Sequence, residues 1–279
     1  WTAVYRNQWR TFLSGQLTGR RTDNTILRGG PSMKTPGQLY MSASIDSDWR
    51  KKLSGDLYFS YYRTFNDIKT NYNLGFELEY KPFNTLTLNL EPSWSTTMNR
   101  MQYVTRRTLS AEPQENRYIF GTINQKIYSV SIRVDYNITP DLTVQYWGQP
   151  FYGSGRYSEF KRITDPHAAT MDDRYAILES GHLSYAIRNR LYSIDEDLDS
   201  SVDYSFGNPN FTVSEFLHNF VIRWEFLPGS TAFLVWSQNR DHYTGSGMFD
   251  VSRQSHDLFH KAQPYNIFLV KFSYRFGLH

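Results

Sequence analysis

Apolar and polar residues alternate one by one through much of this chain. Tyr72, Leu74, Phe76, Leu78 and Tyr80 interleave with Asn73, Gly75, Glu77, Glu79 and Lys81. Leu86, Leu88, Leu90, Pro92 and Trp94 interleave with Thr87, Asn89, Glu91, Ser93 and Ser95. The same holds for Tyr128 to Tyr136 against Ser129 to Asn137, and for Phe268 to Phe276 against Leu269 to Gly277. Successive side chains of a strand point to opposite faces, so a period of two means a strand with one apolar and one polar face. Helical spacing fits none of these segments. Nine to eleven residues is also about what a tilted strand needs to cross a bilayer. The aromatics sit near the ends of each stripe (Tyr72 and Tyr80, Tyr128 and Tyr136, Trp94, Phe276) with aliphatics between them, as in the girdles of a lipid-facing surface.

The pattern predicts fourteen strands, at 8–20, 38–48, 54–65, 71–81, 85–97, 100–109, 116–125, 126–137, 141–153, 181–191, 199–206, 211–226, 230–243 and 264–277. The fold class expected is all-β, a transmembrane antiparallel up-and-down β-barrel forming a single domain over 1–279, either complete or the C-terminal part of a larger barrel. The connections support this. If the last strand ends in the periplasm, 21–37, 154–180 and 244–263 all fall outside the cell. Lys81-Pro82-Phe83-Asn84, Ile138-Thr139-Pro140-Asp141 and Leu227-Pro228-Gly229-Ser230 all fall inside, as tight turns. Phe268, Val270, Phe272, Tyr274 and Phe276 form the aromatic-ended terminal strand by which barrels are presented to their assembly machinery.

Composition narrows the function classes. The mean hydropathy of −0.58 does not oppose a membrane barrel, because only every second strand residue faces lipid. Tyr, Phe and Trp number 21, 19 and 7, a density suited to strands and girdles. Thirty basic and 27 acidic residues are spread without a Lys/Arg run, which leaves nucleic-acid binding unsupported. There is no cysteine, so disulfides and Cys-based zinc sites are excluded. The opening Trp1-Thr2-Ala3-Val4 lacks the charged and apolar regions of a signal peptide, so the expectation is an exported protein in its mature form or, by preference, a piece of a longer one.

Arg28-Gly29-Gly30-Pro31, Tyr204-x-Phe206-x-Asn208-Pro209-Asn210-Phe211, Arg223-Trp224-Glu225 with Leu227-Pro228-Gly229-Ser230-Thr231, Phe233 to Gln238 and the ending Phe268 to Phe276 resemble one Bacteroidota family. In that family a carbohydrate-binding-like β-sandwich precedes a C-terminal outer-membrane barrel of unknown function. The resemblance implies an upstream periplasmic sandwich and earlier strands. Any link to glycan handling belongs to that upstream domain.

The candidate chemistry is sparse. Asp172-Asp173 and Asp241-His242 are the residue types of an omptin-like protease at a barrel mouth. His218-Asn219 and Ser255-His256 are those of a barrel lipid hydrolase. His256 and His260, spaced i,i+4 around Asp257, would share a face if 255–262 is helical and could hold a metal. Asp195-Glu196-Asp197-Leu198-Asp199 carries Ca²⁺-type ligands without the full loop pattern, and the strand parity puts it on the periplasmic side. In each case a solvated turn or exposed loop is the simpler reading, so no catalytic, metal or cofactor residue is assigned. The predicted lumen set is Asp46, Glu77, Glu79, Lys81, Glu91, Arg133, Asp135, Arg223, Glu225, Lys271 and Arg275, which would line a pore or cross-link the strands. Tyr152, Tyr157, Tyr243 and Phe249 are loop aromatics that would meet a sugar or partner, or pin the loops.

The reading is a non-enzymatic, porin-like channel or membrane anchor in the outer membrane of a Gram-negative bacterium. Its partners would be lipid and lipopolysaccharide, the barrel-assembly machinery and other outer-membrane subunits. A barrel hydrolase and a soluble secreted all-β binding protein are the alternatives.

Overall fold

The computed structural model describes residues 1–109 and 116–276. The chain begins with β1 (Thr2–Val4) and β2 (Arg10–Thr18), then a small hairpin of β3 (Arg21–Asp23) and β4 (Met33–Thr35). Six strands follow as a meander: β5 (Gln38–Asp46), β6 (Leu53–Thr64), β7 (Lys69–Phe83), β8 (Leu86–Thr108), β9 (Asn116–Thr139) and β10 (Leu142–Ile163). A long excursion carries β11 (Tyr175–Ile177), β12 (Leu183–Ala186), β13 (Leu191–Ile194) and β14 (Tyr204–Gly207). The chain closes with β15 (Phe211–Leu227), β16 (Ser230–Thr244), α1 (Val251–His260) and β17 (Tyr265–Ser273).

One antiparallel sheet of twelve strands forms the wall, in the order β1-β2-β5-β6-β7-β8-β9-β10-β15-β16-β17, with β11 beside the far end of β10. Long strands that neighbour in sequence neighbour in space. The edges at β1 and β17 do not pair with each other, so the sheet is open. No helix among the described residues is long and apolar enough to cross a membrane, which does not bear on crossing by strands.

The wall holds ten long strands rather than fourteen. Segments 85–97 and 100–109 are one strand, because the chain absorbs a bulge between Asn99 and Gln102 instead of turning at Met98-Asn99. Segments 116–125 and 126–137 are likewise one strand, unbroken at Gln125-Lys126. Segments 181–191 and 199–206 are not wall strands. They contribute to a separate three-stranded sheet, β12-β13-β14. Pairing stops at Ser273, so Tyr274 and Phe276 lie beyond the last strand, and the trailing Gly277 to His279 fall outside the described residues.

The three long loops and three tight turns keep their predicted ends, although β10 runs on to Ile163 and takes up the first part of the predicted 154–180 loop. The connections 19–37, 164–210 and 245–264 leave from one end of the wall, whereas 47–52, 84–85, 140–141 and 228–229 turn at the other. Gly229 takes φ +79°, a conformation open to glycine, and a Cβ there would meet Arg275 Cδ at 2.6 Å. In the 47–52 turn the Arg50 fork grips Asp48 at 2.8 and 2.9 Å and holds its carboxyl down at about 2. Asp195 to Asp199 belongs to 164–210 and therefore sits at the long-loop end, opposite to the predicted side. The two presumed strands that flanked it do not cross the wall.

Strand lengths explain where the core is. β8, β9 and β10 run for 23, 24 and 22 residues, about 73–79 Å at 3.3 Å per residue. A band of exposed apolar side chains takes up only the third nearest the short turns. The remainder stands clear of the band and packs in layers. Met101, Phe120 and Ile163 meet Leu27, Met33 and Met171 of the connections on one side. Ile119 and Phe160 meet Ile194, Tyr204 and Phe206 of the small sheet on the other. The apolar rings and aliphatics there are fully buried, as in an ordinary globular core.

Candidate functional site

Cross-strand partners lie on one face, so the register sorts the wall into two surfaces. One surface is apolar. Leu57↔Phe76, Phe59↔Leu74, Leu78↔Leu90 and Leu90↔Ile132 are partners along it, and these side chains are 37–49% exposed. It ends at the row Trp94, Tyr128, Tyr152, where Trp94 and Tyr128 pack at 6.0 Å and Tyr128 stacks on Tyr152 at 6.5 Å. Above that row the 245–264 connection folds back over the same face. Phe249 sets its edge on Trp94 at 5.2 Å, and Gln254 of α1 donates to Val213 O at 3.1 Å. Asp250 caps α1 by accepting from Arg253 N. From Leu86 to Trp94 the bare stripe is about one membrane crossing.

The other surface is polar and built of small side chains. Ser93 and Ser129 share a hydrogen bond of 2.8 Å, Asn73 donates to Ser60 at 3.0 Å, and Trp147 donates to Ser131 at 3.1 Å. A row of carboxylates crosses four adjacent strands here. Asp46 opposes Asp56, Asp56 opposes Glu77, and the flanking pairs Gly75↔Ser93 and Leu78↔Leu90 set Glu77 level with Glu91. The row lines a hollow of about 430 Å³ that contains no cationic side chain. Asp56 feels the repulsion of Asp46 and Glu91, and Glu77 that of Asp56, Glu91 and Glu79. None of the four accepts a hydrogen bond or ion pair from a side chain among the described residues. Asp56 was absent from the predicted set, although its place in the polar phase of 54–65 was the signal that could have found it.

The other predicted lumen residues have different roles. Glu79 pairs with Lys81 at 2.5 Å and Arg223 with Glu225 at 2.8 Å, each two residues along one strand. Arg133 and Asp135 share a smaller hollow with Gln145, Trp147 and Asn219. Lys271 stands over the Phe233 ring at 6.0 Å. Arg275 lies past the last strand, its N–H donating to Ser230 Oγ. The pairs run along strands, so they do not form the cross-strand ladder that would fill the space.

The structure assembles none of the catalytic constellations. Asp241 and His242 are consecutive on β16 and point to opposite faces: Asp241 opposes Glu215, His242 opposes Ser214. Asp172 accepts from Tyr175 Oη at 3.1 Å and Asp173 from Thr170 Oγ1 at 2.6 Å. His218 is buried among Tyr146, Phe216 and Trp236, while Asn219 faces the other way and accepts from Ser237. His256 and His260 do lie on a helix, α1, but they stack ring on ring at 4.4 Å and no third ligand joins them among the described residues. Asp195, Asp197 and Asp203 bring carboxylate oxygens within 4.8 Å of one another. They are occupied in closing the turn, Asp195 taking Ser200 N at 2.9 Å and Asp203 taking Glu196 N at 2.7 Å.

Glu196 has a role that its acidic neighbours concealed. It accepts from Arg117 Nε at 3.0 Å on β9, from Arg162 Nη1 on β10 and from Tyr204 Oη at 2.7 Å on β14. Burial and this carboxylate hold the Tyr204 phenol well above its usual range, so it remains a donor. Glu196 thus ties the small sheet to the long strands. Of the four predicted loop aromatics, Tyr152 and Tyr157 lie on β10 and are packed, Phe249 is pinned to Trp94, and Tyr243 alone stays exposed, at 66%.

No curated protein matches the chain. Among solved structures, the translocator domain of the autotransporter NalP from Neisseria meningitidis is similar at 10% identity, covering 88% of this chain and 74% of that one. The TM-score is 0.32, too slight a likeness to bear on fold or function. The family described as "Domain of unknown function (DUF5916)" matches residues 26–276, which takes in all the motifs of the resemblance noted above. This chain belongs to the DUF5916 family.

Proposed function

We propose that this chain is the wall of an outer-membrane β-barrel, with lipid on its apolar face and a carboxylate-lined aqueous lumen on its polar face, acting as a cation-favouring channel. The observation that carries the reading is the bare apolar face. Each Leu, Phe or Trp moved from water into an apolar phase contributes ~1.5–3 kcal/mol. Leaving such side chains in water across a continuous patch is something soluble monomers avoid. Bilayer lipid is the phase that suits a stripe about one crossing tall, with aromatics at its upper rim. The one-sided distribution of long connections fits the same orientation, with the long-loop end outside the cell.

The polar face supports the channel part. A row of acidic side chains around a hollow without cationic lining, with Arg10 opposite Asp46 at its outer end, attracts cations and repels anions when it borders water. In hydrocarbon, the unpaired N–H and C=O groups at β1 and β17 would each cost several kcal/mol. Barrel closure therefore requires those edges to pair with each other or with further strands.

The test is made in detergent and then in planar bilayers. A closed barrel migrates faster unboiled than boiled, and its conductance favours K⁺ over Cl⁻. Asp56→Asn with Glu77→Gln should move the reversal potential toward zero while leaving the gel shift intact. A monodisperse, detergent-free β-protein would overturn the membrane reading, and unchanged selectivity in the double variant would overturn the role of the acidic row. Asp241→Ala and His242→Ala are expected to leave conductance and gel shift as they were. Loss of a peptidase or lipase activity in either would instead favour an enzyme.

A further inference from the structure

At the long-loop end, the β3–β4 hairpin, the bulge of β8 and the turn before β11 enclose a cleft of about 1160 Å³. Five of its lining side chains are cationic (Arg20, Arg21, Lys34, Arg100 and Arg174), against one carboxylate, Asp172. In a chain with 30 basic and 27 acidic residues this is a strong local imbalance. Several arginines elsewhere are matched by a carboxylate: Arg50 with Asp48, Arg63 with Asp67, Arg162 with Glu196, Arg223 with Glu225. Here the side chains of Arg20, Arg21, Lys34 and Arg100 make no hydrogen bond or ion pair among the described residues, and Asp172 is engaged with Tyr175.

Arg174 shows that the cleft is built rather than incidental. The residue is 6% exposed, and its guanidinium is held by the carbonyls of Lys34 at 2.7 Å, Ala168 at 2.9 Å and Ala169 at 3.3 Å. It thereby fixes the hairpin and the 164–175 connection around itself, without a carboxylate in ion-pair reach. Burial and the like charge of Arg20 push its pKa down. Arg100 is steadied from behind, its carbonyl accepting the buried Lys161 ammonium at 3.0 Å. A low-dielectric cleft lined by one sign of charge focuses the field and concentrates counter-ions. Guanidinium forks match the oxygens of phosphate in particular. The volume exceeds the usual range of small-molecule sites (~300–1,000 Å³) and is more than a single phosphate needs.

We propose that this cleft binds a ligand carrying two or more phosphate groups, with Arg20, Arg21, Lys34 and Arg100 as contacting cations and Arg174 as the buried anchor of the site. The residues lie beyond the apolar band, so the proposal does not depend on the membrane reading. The phosphates belong to a lipid headgroup or to a soluble phosphorylated compound, which share this chemistry.

Calorimetry on the full chain in a neutral detergent, with inorganic tripolyphosphate as probe and monophosphate alongside, tests it. Saturable binding is expected, tighter for tripolyphosphate and weakening as salt rises. Arg20→Gln and Arg100→Gln should each weaken it about tenfold, the scale of one charge-assisted hydrogen bond. Arg253→Gln, on exposed α1, should not. Competition by vesicles containing a doubly phosphorylated lipid, and not by vesicles of phosphatidylcholine, would assign the lipid source. Its absence alongside tripolyphosphate binding would assign the soluble one. No saturable binding at low salt, or equal binding by the Arg20→Gln/Arg100→Gln double variant, would overturn the proposal.

Discussion

Leu90→Arg should prevent the chain from reaching its heat-modifiable, membrane-inserted form. Leu90 is the middle residue of the stripe from Leu86 to Trp94, and its partners are Leu78 and Ile132, all on the apolar face. An arginine on the lipid face at the midplane costs about 2–4 kcal/mol, a large part of the stability of a typical domain. Ser93→Lys, three residues on but on the polar face near Glu77 and Glu91, should insert normally. The contrast is informative because a sheet with water on both faces predicts no such difference between the two variants. Leu90 is 37% exposed, so exchanging it for arginine in water would shift stability by no more than about 0.5 kcal/mol. The comparison is made by gel shift and by urea-resistant membrane association of the two variants. Equal insertion of both would end the assignment of the apolar face to lipid.

Glu196→Ala is expected to release the small sheet from the wall. The carboxylate is 11% exposed and joins Arg117, Arg162 and Tyr204 across three elements. Removing one partner of a buried ion pair typically costs 3–5 kcal/mol. The two arginines here are 21% and 28% exposed, so water screens part of the loss and about 3 kcal/mol is the reasonable scale. Limited proteolysis should then cut within 178–210, and amide exchange should rise in β12 to β14, while the gel shift of the wall stays unchanged. Glu196→Gln should lie between wild type and alanine, since it retains an acceptor and loses the charge. If alanine leaves protease resistance intact, the contacts of Ile119 and Phe160 with Ile194 and Phe206 hold the sheet by themselves.

Reading the wall from sequence succeeded where a strand has one apolar and one polar face. The stripes 72–80, 86–94 and 128–136 are all wall strands, and the turns at Pro140-Asp141 and Pro228-Gly229 fall where their residues suggest. It failed where strands leave the band. Past Asn99 and Asn124 both faces of β8 and β9 are covered, one by 21–37 and one by the small sheet, so alternation disappears and a continuous strand reads as two. The segment 181–206 shows the converse. Its short apolar runs bury against Ile119 and Phe160, and nothing local distinguishes that from a wall strand.

The functional residues divide along the same line. That Glu77 and Glu91 face away from the apolar stripe was legible, because the direction of a side chain in a strand is set by its own backbone and its neighbours in sequence. That they stand level with Asp46 and Asp56 was not, because register depends on which strands pair and at what offset. The basic cleft gathers residues from 20 to 174, and Glu196 meets Arg117 across 79 positions. Such meetings are products of chain closure over long loops. The sequence by itself determined an all-β wall with two unlike faces and two unlike ends. Only the tertiary structure decided the strand count, the position of the core, the carboxylate row and the cleft, since each depends on pairing between segments whose local patterns carry no record of their partners.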